Sequence, residues 1–330
     1  MSISMVDLGE KLDGLLPGAV DRNVYMSKIS RWRIGGPVDF LVRPQSVDEL
    51  ASLISLLDRS ETNWIAVGHS SNLLFSDSGL RGVVVVIADN LAGFRREGDQ
   101  IVVQGGHWVP SLARRLMQEG LAGAEHIVGI PGTIGGLICM NGGSMRKSIG
   151  ANVVHVDCLD RHGTRIRLTQ DDCQFSYRKS EIQARSLVVA EARLVFQPGD
   201  PSEIRSQMRS ILRSRRLKFP LKQPNCGSVF VSDPKMYEKY GPPGAVIEKC
   251  GLKGFQIGDA QISPAHANFI VNRGNATAVD TLRLIRLIRE KAMETFDCDL
   301  LCEVRYVGED CATLPAHQVP VQLHASQDCQ

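Results

Sequence analysis

The 330-residue sequence contains no run of about 18 apolar residues, and its longest apolar stretch, Val83 to Ala88, is only strand-sized. A membrane-crossing helix is thereby excluded as an expectation. Net charge is also scarce: 38 Lys and Arg stand against 36 Asp and Glu, leaving +2, which gives no global attraction to nucleic acid or to a membrane surface. Any anion recognition must then be local. The nine cysteines, an odd number, include no Cys-x-x-Cys pair, so neither a secreted disulfide framework nor a zinc site is expected. Cys298 and Cys302 are four apart but have no His or Cys partner nearby, and no metal site is assigned. Asp7, Glu10 and Asp13 make the N-terminus unlike a signal peptide, and a cytosolic protein is expected.

What is present points to a folded enzyme-sized chain. Hydrophobic residues at 43% and charged residues at 22% are ordinary globular values. The length exceeds the ~250–300 residues at which one core stops growing, which predicts two or three domains. Ser46 and Glu49 form a capping-box pattern, followed by Leu50, Leu53, Ile54 and Leu57 on one face, so 47–59 reads as a helix. Strands at 40–42, 64–67 and 83–87 surround it. From Gly93 onward short strands are expected at 100–104, 153–160, 164–168 and 187–195, around a helix from Ser111 to near Gly120. A long Gly-rich segment, 129–150, lies between them, and loops of that length are usually functional.

Residues 202–217 carry Ile204, Met208, Ile211 and Leu212 at helical spacing, with Arg205, Arg209, Arg213, Arg215 and Arg216 over the rest. This pattern fits a solvated surface helix and also a basic helix end that faces a phosphate. Pro220 and Pro224 then break the chain before the last domain. Thr277 and Asp280 open a helix carrying Leu282, Ile285 and Ile288, and a strand is expected at 300–307. The expected domains are 1–90, 91–205 and 206–308, with 309–330 as a flexible tail.

Three donor-rich glycine segments stand out: Arg33 to Pro37, Gly68 to Asn72, and Gly129 to Gly136. Each is a plausible phosphate cradle, but each taken alone reads more readily as a tight turn between strands. Three together favour a dinucleotide. None has the spacing of a Rossmann glycine fingerprint or a P-loop.

The strings SRWRIGGPVDF (30–40), GHSSNLLFSDSGLRGVVV (68–85), GIPGTIGGLICMNGGS (129–144), FSYRKSEI (175–182), NCGSVF (225–230), IEKCGLKGFQIGDAQISPAHANFIVN (247–272), NATAVD (275–280) and CEVRYVG (302–308) together resemble the UDP-N-acetylenolpyruvoylglucosamine reductase family. The resemblance runs in order from Lys28 to Gly308. It implies an α+β fold: a two-part FAD-binding region of the vanillyl-alcohol-oxidase type, then a C-terminal α+β domain that binds the sugar nucleotide. It also implies a monomeric cytoplasmic flavoprotein of peptidoglycan synthesis that uses noncovalent FAD and NADPH to reduce UDP-N-acetylglucosamine enolpyruvate. The interval between Tyr177 and Pro220 is too short for the tyrosine-bearing insertion of one branch, so the chain resembles the shorter, type II branch.

Carried over by motif, the cofactor-binding residues are Arg33, Gly68, His69, Ser70, Ser71, Asn72, Gly129, Ile130, Pro131, Gly132, Thr133, Gly135 and Gly136. Substrate-binding residues are Tyr177, Arg178, Lys218, Asn225, Lys253, Gln261, His266 and Asn268. The catalytic set is Arg178, Ser228 and Glu303. Their chemistry suits an enolate: a guanidinium forks onto a carboxylate, a protonated Glu donates a hydrogen bond, and Ser228 passes a proton. Cys226, two residues from Ser228, is an alternative acid. Ser70 replaces a glycine usual in the family, and Ser144-Met145 replaces an alanine and an aromatic. These departures leave room for a paralogue that reduces another enol or dehydro substrate.

Overall fold

Local sequence decides where the helices of this chain begin. In the computed structural model, which describes residues 4–232 and 234–321, the helix Val47–Arg59 opens at Ser46, whose side chain accepts from Glu49 N. Only half of the expected capping box forms. The Glu49 carboxylate reaches past Ser46 and accepts from Gln45 N at 2.7 Å. Helix Ala278–Phe296 has the complete box between Thr277 and Asp280, and its first amides, Ala278 N and Val279 N, also donate to the Asp77 carboxylate at 2.8 and 3.1 Å. Helix Val109–Gln118 starts two residues before Ser111, because Pro110 fits the first turn where no amide partner is needed.

The chain divides into two units. Of the described residues, the first holds those up to Val24, Val38–His69 and Arg81–Leu217, and the second holds Tyr25–Pro37, Ser70–Leu80 and those from Lys218 onward. In the first unit, one sheet has the order Val20–Tyr25, Pro37–Val42, Leu80–Val86, Trp64–Val67, with the last two strands parallel. A second, antiparallel sheet runs Arg165–Thr169, Val153–Leu159, Val188–Val195, Gln100–Gln104, Phe94–Glu97. Each sheet has its own core. Leu50, Leu53, Ile54 and Leu57 bury against Phe40, Val83 and Val85 in one, and Leu112, Leu116, Ile134 and Ile138 cover Ile101, Val103, Val156 and Leu194 in the other.

The second unit joins a three-stranded sheet (Gln256–Ile257, Ala260–Ile262, Ile270–Asn272) to the helix Ala278–Phe296, around a core that includes Trp32, Leu74 and Phe230. Trp32 is fully buried and its indole donates to Ile270 O at 2.9 Å. On these three cores we propose to keep the three-domain division, with segments 25–37 and 70–80 assigned to the C-terminal domain. The expected tail needs correction over 309–321. Thr313–Pro315 pairs antiparallel with Arg305–Val307, Ala316 is buried, and Val319 and Val321 pack on the core of the second unit. A polar strand can be held this way because backbone bonds, and not side-chain hydrophobicity, fix its edge. The remainder of the expected tail, 322–330, lies outside the described residues.

Candidate active site

The first unit interlocks two of the three glycine segments. Gly68 follows the strand Trp64–Val67, and a Cβ there would stand 2.3 Å from Thr133 Oγ1, so only glycine allows this approach. Thr133 caps the short helix Ile134–Cys139 by accepting from Gly136 N, while Ile134 N donates to His107 O and Gly135 N to Gly105 O. His69 meets the edge of Trp108 at 4.8 Å between ring centres. The loop 129–136 also rests on the basic helix Pro201–Lys218: a Cβ on Gly129 would lie 2.4 Å from Arg215 Cδ. Arg205, Arg209, Arg213 and Arg216 are exposed, whereas Arg215 is half-buried beside the glycine loop and its pKa is lowered by burial.

Arg178 is positioned by a ladder of bonds between two loops. Ser180 Oγ donates to Cys139 O at 2.6 Å, Asn141 Nδ2 to Ser176 O at 2.9 Å, and Arg178 Nη2 to Gly143 O at 3.4 Å. Ser176 and Lys179 pair across the turn that Arg178 occupies with φ +58°, and its guanidinium lies 5.3 Å from the centre of the exposed Tyr177 ring.

His126 is fully inside the same unit, with Ser144 N donating to its Nδ1 at 3.4 Å. Burial, with Lys147 nearby and Glu125 opposing, pushes its pKa down to about 4. The ring is thus neutral in the fold but protonates near 6.5 when unfolded. Between those values the unfolded chain binds more protons, so stability is present above pH 6.5 and is lost as pH falls toward 4. The loss amounts to roughly 3 kcal/mol. Equilibrium denaturation should show this slope, and His126→Phe should flatten it.

In the second unit, Ser228 and Glu303 are neighbours although 75 positions apart: Glu303 N donates to Val229 O at 2.8 Å, and Phe230 pairs with Cys302. Asn225 builds the turn before Ser228, donating to Pro220 O and Gln223 O and accepting from Gly227 N. Asn268, expected at the substrate, is buried with its amide spent on Phe230, donating to Phe230 O at 3.0 Å and accepting from Phe230 N at 2.9 Å. It therefore supports the segment that carries Ser228. His266 packs its ring on Phe219 and Phe269, and burial lowers its pKa. Lys253 pairs with Glu248 at 2.9 Å, Gln261 donates to Gly254 O, and Lys218 is exposed.

Of the expected cofactor residues in this unit, Asn72 ties two segments together. Asn72 Nδ2 donates to Glu303 O at 3.0 Å, Arg33 is exposed at φ +57° in a turn closed on Ser30 O, and Ser71 is half-buried. Cys226 is buried and its thiol donates to Ser70 O and Leu73 O, both at 3.4 Å. Burial pushes that thiol up to about 12, and its hydrogen bonds are made to backbone carbonyls.

Ser70 supplies the fit test for FAD. Its Oγ is buried without a protein partner, at φ +51°, a combination that costs free energy unless a ligand repays it. A diphosphate oxygen is a suitable acceptor for that hydroxyl.

Comparison with known proteins decides the matter. A sequence model described as the UDP-N-acetylenolpyruvoylglucosamine reductase C-terminal domain matches residues 219–307, and an FAD binding domain matches 38–169. UDP-N-acetylenolpyruvoylglucosamine reductase 1 of Corynebacterium glutamicum is 42% identical over 90% of this chain and 88% of its own length. The chain belongs to the UDP-N-acetylenolpyruvoylglucosamine reductase family. The Bacillus subtilis reductase of that name is 37% identical over 88% of the chain and 95% of its own length. The crystal structure of the Thermus caldophilus reductase superposes with a TM-score of 0.74 at 29% identity, covering 87% of this chain and 98% of that one. The fold is thus the α+β fold of the family, with a two-part FAD-binding region and a C-terminal domain. Among the described residues no helix is long and apolar enough to cross a membrane, and no group of three or more His, Cys, Asp or Glu is placed to hold a metal.

Within this reductase family a serine at position 70 has a measurable consequence. Ser70→Gly removes the left-handed strain and the buried hydroxyl, and should raise the stability of the FAD-free protein by up to about 1 kcal/mol. The same change should weaken FAD binding about tenfold, through loss of a bond to a charged acceptor. Thermal denaturation of the FAD-free protein and a fluorescence titration with FAD read the two effects, which have opposite sign.

Proposed function

We propose that the residues assembled here carry out the NADPH-dependent reduction of UDP-N-acetylglucosamine enolpyruvate to UDP-N-acetylmuramate, the reductive step of peptidoglycan precursor synthesis. The observation that carries this reading is the match of 90% of the chain, at 42% identity, to a reductase of that name. The 68–72 and 129–136 segments with Arg33 would hold FAD, which would supply there the hydride chemistry that links NADPH to the substrate.

As hydride reaches the β-carbon of the enolpyruvyl group, negative charge spreads toward the substrate carboxylate. Arg178 meets that charge with a guanidinium held on the 139–143 loop. Glu303 acts as a hydrogen-bonding partner of the developing enolate. Ser228 delivers a proton to the α-carbon from a turn that Asn225 and Asn268 hold rigid. A serine hydroxyl is a weak acid, so the proton reaches it from water or a neighbouring donor. Tyr177, Lys218, Lys253, Gln261 and His266 bind the UDP-sugar in this reading, and the enzyme works as a cytoplasmic monomer.

The test is the reaction itself. Purified protein incubated with NADPH and UDP-N-acetylglucosamine enolpyruvate should consume them one for one, yielding a product heavier by two hydrogen atoms. A protein that oxidises NADPH only with other enol substrates would be a paralogue of altered specificity, which Ser70 and Met145 would accommodate.

A further inference from the structure

His126 and Ser144 occupy no place in the chemistry described above, yet they hold one side of a peptide bond whose other side meets Arg178. The peptide between Gly143 and Ser144 is planar and trans, so its N–H and C=O point in opposite directions and fixing one fixes the other. On the N–H side, Ser144 N donates to His126 Nδ1 at 3.4 Å, and Ser144 Oγ closes the same contact by donating to His126 O at 2.5 Å. On the C=O side, Gly143 O accepts from Arg178 Nη2 at 3.4 Å.

We infer that His126 and Ser144 form a positioning clamp that orients the Gly143 carbonyl and, through it, the Arg178 guanidinium for the substrate carboxylate; the inference rests on the catalytic role proposed for Arg178.

Three further features make such a clamp necessary. Gly143 is packed so closely that a Cβ would stand 2.0 Å from Lys147 O, so the turn has no room to adjust by itself. The two residues after Ser144, Met145 and Arg146, are both left-handed, at φ +58° and +60°, and both side chains are exposed. Such a segment relaxes unless its surroundings hold it. On the near side, Asn141 is already tied by its side chain, accepting from Gly150 N at 3.0 Å and donating to Ser176 O. The Gly143–Ser144 peptide thus lies between an anchored residue and a strained pair, and the buried imidazole is the group that fixes its rotation. An unprotonated Nδ1 is required to accept from Ser144 N, which assigns the ring proton to Nε2.

The test compares half-reactions of the FAD-loaded protein under anaerobic conditions: flavin reduction by NADPH, then reoxidation by the enolpyruvyl substrate. Ser144→Ala and His126→Phe should each slow reoxidation roughly tenfold while leaving reduction unchanged, the scale expected when a catalytic group is displaced by a fraction of an ångström. His126→Asn, whose carbonyl oxygen can take the place of Nδ1, should restore most of the rate. On an Arg178→Ala background, Ser144→Ala should have no further effect, because the clamp acts only through that guanidinium. Equal slowing of both half-reactions, no rescue by asparagine, or full multiplicative loss on the Arg178→Ala background would overturn the clamp. If His126→Phe does not fold, the Ser144→Ala arms decide it alone. Unchanged reoxidation in Arg178→Ala by itself would instead overturn the role of Arg178, a separate outcome.

Discussion

Ser228→Ala leaves flavin reduction by NADPH nearly intact and slows reoxidation by UDP-N-acetylglucosamine enolpyruvate by about 10³-fold, the scale for losing a positioned general acid. The asymmetry follows from chemistry. Taking hydride from NADPH requires no proton at carbon, whereas completing the reduced pyruvyl ether does. Backbone geometry at the site gives no reason for a wider collapse. Ser228 is followed by Val229 and Phe230, whose amides are held by Asn268, and the preceding turn is closed by Asn225, so removing one hydroxyl leaves that frame in place. Rapid-mixing absorbance of each half-reaction separates the two rates. Similar loss in both would remove Ser228 from proton delivery.

Arg178→Ala should cost the same half-reaction about 10²–10³-fold, as expected for loss of a preorganised cation facing developing charge. Arg178→Lys should recover little of it. An ammonium cannot present the planar fork, and it would not reproduce the donation of Arg178 Nη2 to Gly143 O. The substitution also leaves a left-handed turn residue at φ +58°, so the thermal midpoint should be checked beside the rates. Substrate dependence sharpens the assignment. If Arg178 binds the carboxylate equally before and during reaction, KM rises alone, and if it acts on the enolate, the reoxidation rate falls at saturating substrate.

How much of this was legible in the sequence varies with the physics involved. Helices with a side-chain cap and an apolar stripe, Val47–Arg59 and Ala278–Phe296, are readable because both signals are local. Strands of the antiparallel sheet are readable as strands, but their order is not. Val153–Leu159 and Gln100–Gln104 lie on either side of Val188–Val195, and that choice belongs to tertiary packing. The short helix Ile134–Cys139 hides inside a glycine segment, where intrinsic propensity argues against it and the Thr133 cap argues for it.

The candidate site follows the same division. The family resemblance implied Arg178, Ser228 and Glu303, yet only the fold places Ser228 and Glu303 on adjoining backbone. Asn225, Asn268 and Asn72 were expected at ligands because they are polar and lie in the right strings. Their side chains are bonded to backbone in the described structure, and no spacing rule distinguishes an asparagine that meets a ligand from one that braces a loop. Arg215 was one of five arginines on a basic helix, and burial beside Gly129 singles it out. His126 gave no signal, since a histidine that will be buried neutral reads like any other until its surroundings are known.

The most direct test of the account is an anaerobic stopped-flow trace of the FAD-loaded protein. The flavin is first reduced with one equivalent of NADPH and then mixed with UDP-N-acetylglucosamine enolpyruvate while its absorbance is followed. The account predicts rapid, complete return of the oxidised flavin spectrum with formation of UDP-N-acetylmuramate. A flavin that NADPH bleaches and that this substrate fails to reoxidise would contradict it.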